Sequence, residues 1–311
     1  MTSIDTPARQ AGTFAADAGV AYAPGLRAED RILRLADGRL LGYAESGEPN
    51  GMPVFFFHGF GTTRVICPPP EPALELGIRL IAVDRPGIGL SDPKPGRNLL
   101  DWPTDVLELA DHLGLGSFSI VGWSGGGPYA LACAHVLAGR IKVIAAVSPA
   151  APLAGSGDPG YLRRFDRNAV RAAGRAPWIV RLAMWHWGRG QRHDAEAFFE
   201  KSVADMCAAD QEVLTEPELR GRMIANSTEL YRQGGRGMYD EALVLARPWG
   251  FEPAELTVPV HIWQGGRDET VPPAMAQHLA EAIPDARLRF YPHEGHHLLY
   301  RFWPEILAGL V

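Results

Sequence analysis

The sequence predicts an α/β protein with a mostly parallel central sheet, helices on both faces and an inserted helical cap. Three observations lead to this fold class. Several short runs are apolar at every position, which suits central parallel strands that helices cover on both sides. Helical patterns separate these runs along the chain. Over about residues 151–250 this alternation gives way to helical stretches, and it then returns.

The first part of the chain predicts a tail, a hairpin and then buried strands. Residues 1–30 are rich in alanine and are expected to form a loose tail or an arm over the domain. A hairpin is predicted over residues 31–46, with its turn at Asp37-Gly38. The apolar runs that follow predict strands at residues 53–57, 80–83, 118–121 and 143–147.

The clearest helix is predicted over residues 101–113, where Asp101 can act as the N-cap and Pro103 stands in the first turn. After the insertion, the pattern predicts strands at residues 260–263 and 288–291 and helices at residues 272–282 and 297–310. We therefore divide the chain into a core of residues 31–150 and 251–311 and a cap of residues 151–250.

Composition limits the classes of partner. The 311 residues are 46% hydrophobic and carry a net charge of −6, with acids and bases mixed and no basic stripe for nucleic acid. Residues 1–25 lack a signal peptide pattern, and no apolar run approaches the roughly 20 residues of a membrane span. Three scattered cysteines, Cys67, Cys133 and Cys207, form no disulfide framework. We expect a cytoplasmic monomer or homodimer that binds a small-molecule substrate, without nucleic acid or membrane partners.

The most informative motif is residues 122–126, Gly-Trp-Ser-Gly-Gly, which stands between an apolar run and a helical stretch. A G-x-S-x-G pattern at a strand-to-helix turn is typical of a nucleophile elbow, whose tight turn needs its glycines. Ser124 at the apex is the candidate nucleophile. The Gly125 N–H at the start of the helix can bind an oxyanion. The Phe60 N–H, in the loop after the strand at residues 53–57, is the predicted second donor.

A serine nucleophile needs a base, and the base needs an orienting acid. Catalytic groups collect beyond the carboxyl ends of parallel strands. The loop after residues 260–263 supplies Asp268, whereas the loop after residues 143–147 has no carboxylate. The loop after residues 288–291 contains three candidate bases, His293, His296 and His297. The order Ser, Asp, His is the order expected with this elbow.

Taken together, these motifs resemble those of α/β-hydrolase-fold proteins with an inserted cap. The motifs that carry the resemblance are the elbow and four further segments: His-Gly-Phe-Gly at residues 58–61, Asp-Arg-Pro-Gly-Ile-Gly-Leu-Ser at residues 84–91, Gly-Gly-Arg-Asp at residues 265–268 with Val271-Pro272, and Gly295-His296. The resemblance implies Ser124 as nucleophile, Asp268 as acid and His296 as base. An elbow serine argues against epoxide hydrolases and haloalkane dehalogenases, which use an aspartate. The absence of Trp-Gly after the serine argues against proline iminopeptidases.

The resemblance implies a serine hydrolase that cleaves a small or medium carboxylic ester, thioester, lactone or related carbonyl compound through an acyl-enzyme, without a cofactor. Trp123 and the cap aromatics Trp185 and Phe199 are predicted to line the substrate site. Other functions remain open on the same triad: a carbon–carbon bond hydrolase, a perhydrolase or an acyltransferase. A triad-retaining ligand receptor and a catalytically silent pathway protein are further alternatives.

Three other patterns favour structural roles. Residues 293–297 match the zinc string H-E-x-x-H, but the preceding Pro292 predicts a loop rather than the helical face that zinc needs. Residues 125–130 match a dinucleotide-binding glycine pattern, but the next strand ends in Ser148-Pro149 rather than an acid. Asp84 is predicted to hold its glycine-rich turn through backbone hydrogen bonds. We therefore expect no metal and no nucleotide cofactor.

Overall fold

A computed structural model describes residues 29–154 and 160–311, so the predicted tail at residues 1–30 lies almost wholly outside the described residues. Within them, eight strands form one sheet in the order β1-β2-β4-β3-β5-β6-β7-β8. The strands are β1 Asp30–Arg34, β2 Leu40–Gly47, β3 Met52–Phe57, β4 Ile78–Val83, β5 Phe118–Trp123, β6 Ile141–Val147, β7 Val260–Gly265 and β8 Ala286–Tyr291. The helices are α1 Glu71–Glu75, α2 Trp102–His112, α3 Gly126–Val136, α4 Arg164–Arg175, α5 Pro177–His193, α6 Ala195–Ala204, α7 Ala208–Leu214, α8 Pro217–Leu230, α9 Arg236–Leu245, α10 Pro273–Ala282, α11 Leu298–Arg301 and α12 Trp303–Ala308.

The sheet is mostly parallel, which confirms the predicted fold class. Strands β1 and β2 pair antiparallel as a hairpin, with Asp30 opposite Ala44 and Arg34 opposite Leu40. Gly38 adopts a φ of +88° in the turn, a left-handed conformation that glycine tolerates without steric cost. Strand β2 runs antiparallel to β4, and every pair from β4 through β8 is parallel. Parallel strands place their carboxyl ends, and the loops that follow them, at one edge of the sheet.

Helices cover both faces of the sheet because the central strands are apolar on both sides. In β3, Phe55 and Phe57 join the core beneath α2, α3 and α10. Val54 and Phe56 point to the opposite core, against α1, α11 and α12. The Phe55 ring meets Phe118 of β5 edge-on at 4.8 Å between centroids. Two continuous cores of this kind fix the orientation of every central strand, and hence the edge to which each loop belongs.

Asp101 occupies the N-cap position of α2, as predicted, but its side chain does not make the expected capping hydrogen bond. The turn Leu99–Asp101 is a short 3₁₀ helix, and α2 begins after it at Trp102. The Asp101 carboxylate accepts a hydrogen bond from the Asn98 N–H at 2.7 Å. It therefore closes the 3₁₀ turn and makes no side-chain capping bond to α2. Pro103 does stand in the first turn of α2, as predicted.

Six helices, α4 to α9, lie between β6 and β7 in the part of the chain that the structure describes. Buried polar contacts join this helical insertion to the core. Arg64 pairs with Glu229 of α8 at 2.6 Å, and Arg85 pairs with Glu241 of α9 at 2.5 Å. Asn226 donates to the Gly61 carbonyl at 3.2 Å. No helix among the described residues combines the length and apolarity that a bilayer crossing requires.

Candidate active site

Ser124 stands at the turn between β5 and α3, in a backbone conformation that is rare for a residue with a side chain. Its φ is +54°, a strained value of the kind that structures maintain at functional turns. The turn is crowded. A Cβ on Gly122 would lie 2.7 Å from the Gly126 carbonyl oxygen, and one on Gly126 would lie 2.2 Å from the Phe57 carbonyl oxygen. The two glycines of the motif therefore allow the close approach that puts Ser124 at the sheet edge, with 8% of the residue exposed.

The loops after β7 and β8 bring Asp268 and His296 together. Asp268 Oδ2 lies 2.8 Å from Nδ1 of His296. The other oxygen, Oδ1, accepts the backbone N–H groups of Thr270 at 2.9 Å and Val271 at 2.7 Å. Gln264 donates to Oδ2 at 3.2 Å. A carboxylate held in this way accepts a hydrogen bond from Nδ1–H, so Nε2 of the neutral ring has a lone pair with which to act as a base.

Strand β5 and the β6 loop hold His296 beside the elbow. The Trp123 ring lies 5.4 Å from the His296 ring, and its Nε1 donates to the His296 carbonyl at 3.2 Å. Ser148 Oγ donates to the same carbonyl at 3.2 Å. The Trp123 side chain therefore packs against the His296 ring and helps to hold it in place.

The charge on His296 is governed by burial and by two carboxylates. Burial of the ring favours its neutral form, but the charge and hydrogen bond of Asp268, and then the charge of Asp210, outweigh that effect. Together they raise the pKa of His296 above its usual 6.5. A carboxylate that stabilises the imidazolium in this way also stabilises the state in which the ring holds a proton from a serine.

The predicted oxyanion donors, Phe60 and Gly125, lie close together. Gly125 is the N-cap of α3, and a Cβ built on it would be 2.9 Å from the Phe60 backbone nitrogen. Glycine at this position leaves room between the two N–H groups, whereas a methyl group would fill it. Paired backbone N–H groups at a helix N-terminus are suited to binding a developing oxyanion.

Arg85 holds the loop that carries Phe60. Its guanidinium donates to the His58 carbonyl at 2.5 Å and to the Gly59 carbonyl at 2.8 Å. Burial, and then the charge of Arg85, put the pKa of His58 well below 6.5. The neutral His58 ring contacts the Gly59 carbonyl through Nδ1 at 2.9 Å and accepts the Arg85 N–H at Nε2 at 3.4 Å. These contacts give His58 a structural role in the loop.

The cap aromatics are placed differently from the sequence-based prediction. Trp187 of α5 stacks on Phe60 at 5.7 Å between centroids with 19° between the ring planes. Trp185 is 53% exposed and packs under the guanidinium of Arg189. Phe199 lies against a separate cluster within the insertion, built around Val203, Leu214 and Leu219. Trp187 therefore lies against the loop of residues 58–61, whereas Trp185 packs with Arg189 and Phe199 with the cluster around Val203.

Sequence reasoning missed three residues at the site: Arg85, Glu241 and Asp210. Arg85 and Glu241 form an ion pair beside the loop of residues 58–61, and Asp210 of α7 accepts the backbone N–H groups of His296 and His297. A weak signal existed for Asp210, because a glycine precedes His296. A Cβ on Gly295 would lie 2.3 Å from Asp210 Oδ2. The glycine indicates a close approach, but the sequence does not say by which residue.

The H-E-x-x-H string at residues 293–297 forms a turn between β8 and α11 rather than a helix. His293 is exposed, whereas His297 is buried 3.2 Å from Asp210. Across residues 29–154 and 160–311, no group of three His, Cys, Asp or Glu side chains is arranged to hold a metal ion. Asp84 accepts the N–H groups of Arg64 at 2.8 Å and Leu90 at 3.0 Å, which matches its predicted role in the glycine-rich turn.

Comparison with known proteins agrees with this fold. A family model described as alpha/beta hydrolase fold matches residues 52–301. The chain belongs to the α/β-hydrolase-fold family. The esterase EaEST from Exiguobacterium antarcticum superimposes with a TM-score of 0.68 at 21% identity, covering 89% of this chain and 97% of the esterase. At that identity the likeness concerns the fold.

Two relatives in sequence carry activities in their names. The chain is 28% identical over 270 residues to the dihydrolipoyllysine-residue acetyltransferase component of an acetoin cleaving system from Pseudomonas putida, covering 83% of this chain and 62% of the relative. It is 35% identical over 94 residues to a pimeloyl-[acyl-carrier protein] methyl ester esterase from Legionella pneumophila strain Paris, covering 30% of this chain and 36% of the relative. The matches therefore span less than two thirds of these relatives.

Proposed function

We propose that this protein is a serine hydrolase that cleaves a small or medium carboxylic ester, thioester, lactone or related carbonyl compound through an acyl-enzyme. The observation that carries the proposal is the 2.8 Å contact between Asp268 and His296 beside the strained Ser124. Membership of the α/β-hydrolase-fold family supports the reaction class. The esterase name of the Legionella relative supports a carboxylic ester as the substrate bond.

In the proposed reaction, Ser124 Oγ attacks the substrate carbonyl carbon while Nε2 of His296 takes the hydroxyl proton. The carbonyl oxygen becomes an oxyanion, which the N–H groups of Phe60 and Gly125 stabilise. His296 then gives its proton to the leaving alkoxide or thiolate as the carbon–oxygen or carbon–sulfur bond breaks. Water, deprotonated by the same nitrogen, attacks the acyl carbon; the bond to Ser124 Oγ then breaks as His296 returns the proton to Oγ, and the acid is released. Asp268 orients the ring and stabilises the imidazolium in both halves.

The surroundings of the site favour an uncharged substrate with an apolar body. The buried cations nearest the oxyanion loop, Arg64 and Arg85, each contact a carboxylate, which offsets their attraction for an anion. Trp187 and Phe60 present stacked rings at the loop. We propose that the insertion, taken as residues 151–250, forms the roof of the pocket and that Trp187 contributes to substrate selection in place of Trp185 and Phe199.

The experiment is active-site labelling combined with ester turnover. In the Ser124→Ala variant, hydrolysis of p-nitrophenyl acetate should fall by about 10⁴-fold or more, and a fluorophosphonate probe should no longer label the protein. Ser119 provides a matched control, because it is a buried serine on β5, the strand that leads into Ser124. The Ser119→Ala variant should keep both labelling and turnover. Labelling that survives in Ser124→Ala would reject Ser124 as the nucleophile.

Acyl transfer is a second candidate, favoured by the similarity to the acetyltransferase component over 83% of this chain. In this reaction a thiol or alcohol replaces water as the nucleophile that attacks the acyl-enzyme. The test adds a dithiol to the ester assay and follows the products by mass spectrometry. An acyl thioester that exceeds the free acid, and that Ser124→Ala abolishes, would favour transfer. Free acid as the dominant product would favour hydrolysis.

A further inference from the structure

We propose that Asp210, on helix α7 of the insertion, is a positioning residue that holds the backbone of His296 in place for catalysis. The inference rests on the proposed function, because it assigns His296 the role of the base. It goes beyond that function in giving the insertion a part in the catalytic machinery as well as in the roof of the pocket.

The two oxygens of Asp210 bind two successive backbone groups. Oδ2 accepts the His296 N–H at 2.9 Å, and Oδ1 accepts the His297 N–H at 2.7 Å. The residue is 3% exposed, so water competes little for either bond. Hydrogen bonds that an ionised carboxylate accepts from N–H groups are stronger than those between neutral groups. The carboxylate therefore restrains the peptide units on both sides of the His296 side chain.

The histidine loop leaves space for this carboxylate. A Cβ on Gly295 would lie 2.3 Å from Asp210 Oδ2, a distance at which one of the two groups would have to move. Glycine before His296 therefore permits the contact, and any other residue would disturb it. The bonded groups are 86 and 87 positions apart in the chain, so the contact exists only when α7 is packed against the final loop of the core.

Asp210 also changes the electrostatics of the base. Burial works against the ionised carboxyl, but the nearby His297 ring and the backbone N–H groups of His297 and His296 keep the pKa of Asp210 well below its usual range. Three titratable groups face His296: Asp268 from the loop after β7, Asp210 from α7, and His297, whose ring centroid is 5.4 Å away. Trp123 of β5 presents an uncharged ring. Nδ1 of His297 lies 3.2 Å from Asp210 without the alignment of a hydrogen bond.

The decisive variant is Asp210→Asn, which keeps the side-chain size, removes the charge and replaces one acceptor oxygen by an N–H₂ group. With p-nitrophenyl acetate, we expect kcat/KM on the alkaline plateau to fall about 10-fold, because small displacements of a catalytic group are costly. The acidic limb of the kcat/KM profile should move to lower pH by about half a unit, because less negative charge remains to stabilise the protonated ring. Titration of the His296 ring by NMR should shift in the same direction.

Asp194→Asn is the matched control. Asp194 is another carboxylate of the insertion that accepts a backbone N–H, from Ala197 at 2.9 Å, and it is exposed. This variant should leave the pH profile and the His296 titration as they are in the unaltered protein. A merely structural role for Asp210 would lower kcat/KM equally at all pH values. An acidic limb and a ring titration that do not move in Asp210→Asn would therefore overturn the inference.

The outcomes separate the inference from the proposed function. If Ser124→Ala keeps its turnover, the proposed function fails, whereas the NMR titration still reports whether Asp210 acts on His296. If Asp210→Asn does not fold, hydrogen exchange on the unaltered protein gives the answer. The amides of His296 and His297 should then exchange on the order of 10²-fold or more slowly than in an unstructured peptide. Exchange of both amides at the peptide rate would reject the Asp210 contact.

Discussion

The ion pair between Arg85 and Glu241 offers the most direct test of how the insertion supports the core. The guanidinium and carboxylate are 2.5 Å apart, and both side chains have no exposed surface. The same guanidinium donates to the carbonyls of His58 and Gly59, which precede the proposed oxyanion donor Phe60. Replacing Glu241 by Gln keeps the side-chain shape and leaves a buried Arg85 cation without the carboxylate that it contacts.

We expect Glu241→Gln to lower the free energy of unfolding by about 3 kcal/mol. Loss of one partner of a buried pair costs roughly 3–5 kcal/mol. The amide oxygen of the new Gln side chain can still accept a hydrogen bond from Arg85, so we expect a cost near the lower end of this range. Such a loss is large against a typical net stability of about 5–15 kcal/mol. At about 2.1 cal/mol/K of unfolding entropy per residue, the 311 residues carry about 650 cal/mol/K, so Tm should fall by about 5 °C.

Urea unfolding followed by tryptophan fluorescence measures the change in stability. The matched control is Glu196→Gln, which removes one partner of a surface pair with Arg220. Their atoms are 2.6 Å apart, but the side chains are 61% and 33% exposed. A surface pair of this kind contributes about 0–1 kcal/mol. Equal losses of stability in the two variants would refute the argument, because burial of Arg85 would then carry no additional cost.

Three further predictions concern catalysis. Ester hydrolysis should fall on acidification through the raised pKa of His296, above 6.5, because the base must be neutral; a flat kcat/KM profile between about pH 5 and 8 would contradict this assignment. Treatment with EDTA should leave ester turnover unchanged, since no step of the proposed reaction uses a metal, and metal-dependent recovery of lost activity would count against it. Trp187→Ala should change the order in which p-nitrophenyl esters of different acyl length are preferred, by about 0.8 kcal/mol for each buried CH₂, and Trp185→Ala should leave that order unchanged. Equal effects of the two substitutions would contradict the placement of Trp187 at the pocket.

Much of the core could be predicted because its signals are local. A run such as residues 53–57 is apolar on both faces whatever it packs against, and a strand between two helical layers needs that pattern. The elbow at Ser124 is likewise encoded within five residues, because the glycines answer a steric requirement of the turn itself. Asp268 and a loop with three candidate histidines follow from the rule that loops after parallel strands share one edge, and the resemblance to α/β-hydrolase-fold proteins selected His296 among the three.

The contacts of the insertion could not be predicted in the same way. Helical periodicity in α5 is compatible with more than one buried face, and packing decided that Trp187 meets Phe60 while Trp185 is exposed. The side chain of Asp101 was also not predictable from the local pattern, because its carboxylate accepts the Asn98 N–H of the 3₁₀ turn instead of an N–H group of α2.

Local sequence patterns were enough to predict the layered α/β architecture, the tight turn at Ser124 and the loops that carry Asp268 and His296. The contact of Asp210 with the backbone of His296, and the pairing of Glu241 with Arg85 beside the loop of residues 58–61, depend on how distant parts of the chain pack. The physical reason is separation along the chain. Asp210 and His296 are 86 positions apart, and Arg85 and Glu241 are 156 apart. A carboxylate on a helix has the same local pattern whether it faces water or a buried amide, so its partner is set by how the helices pack.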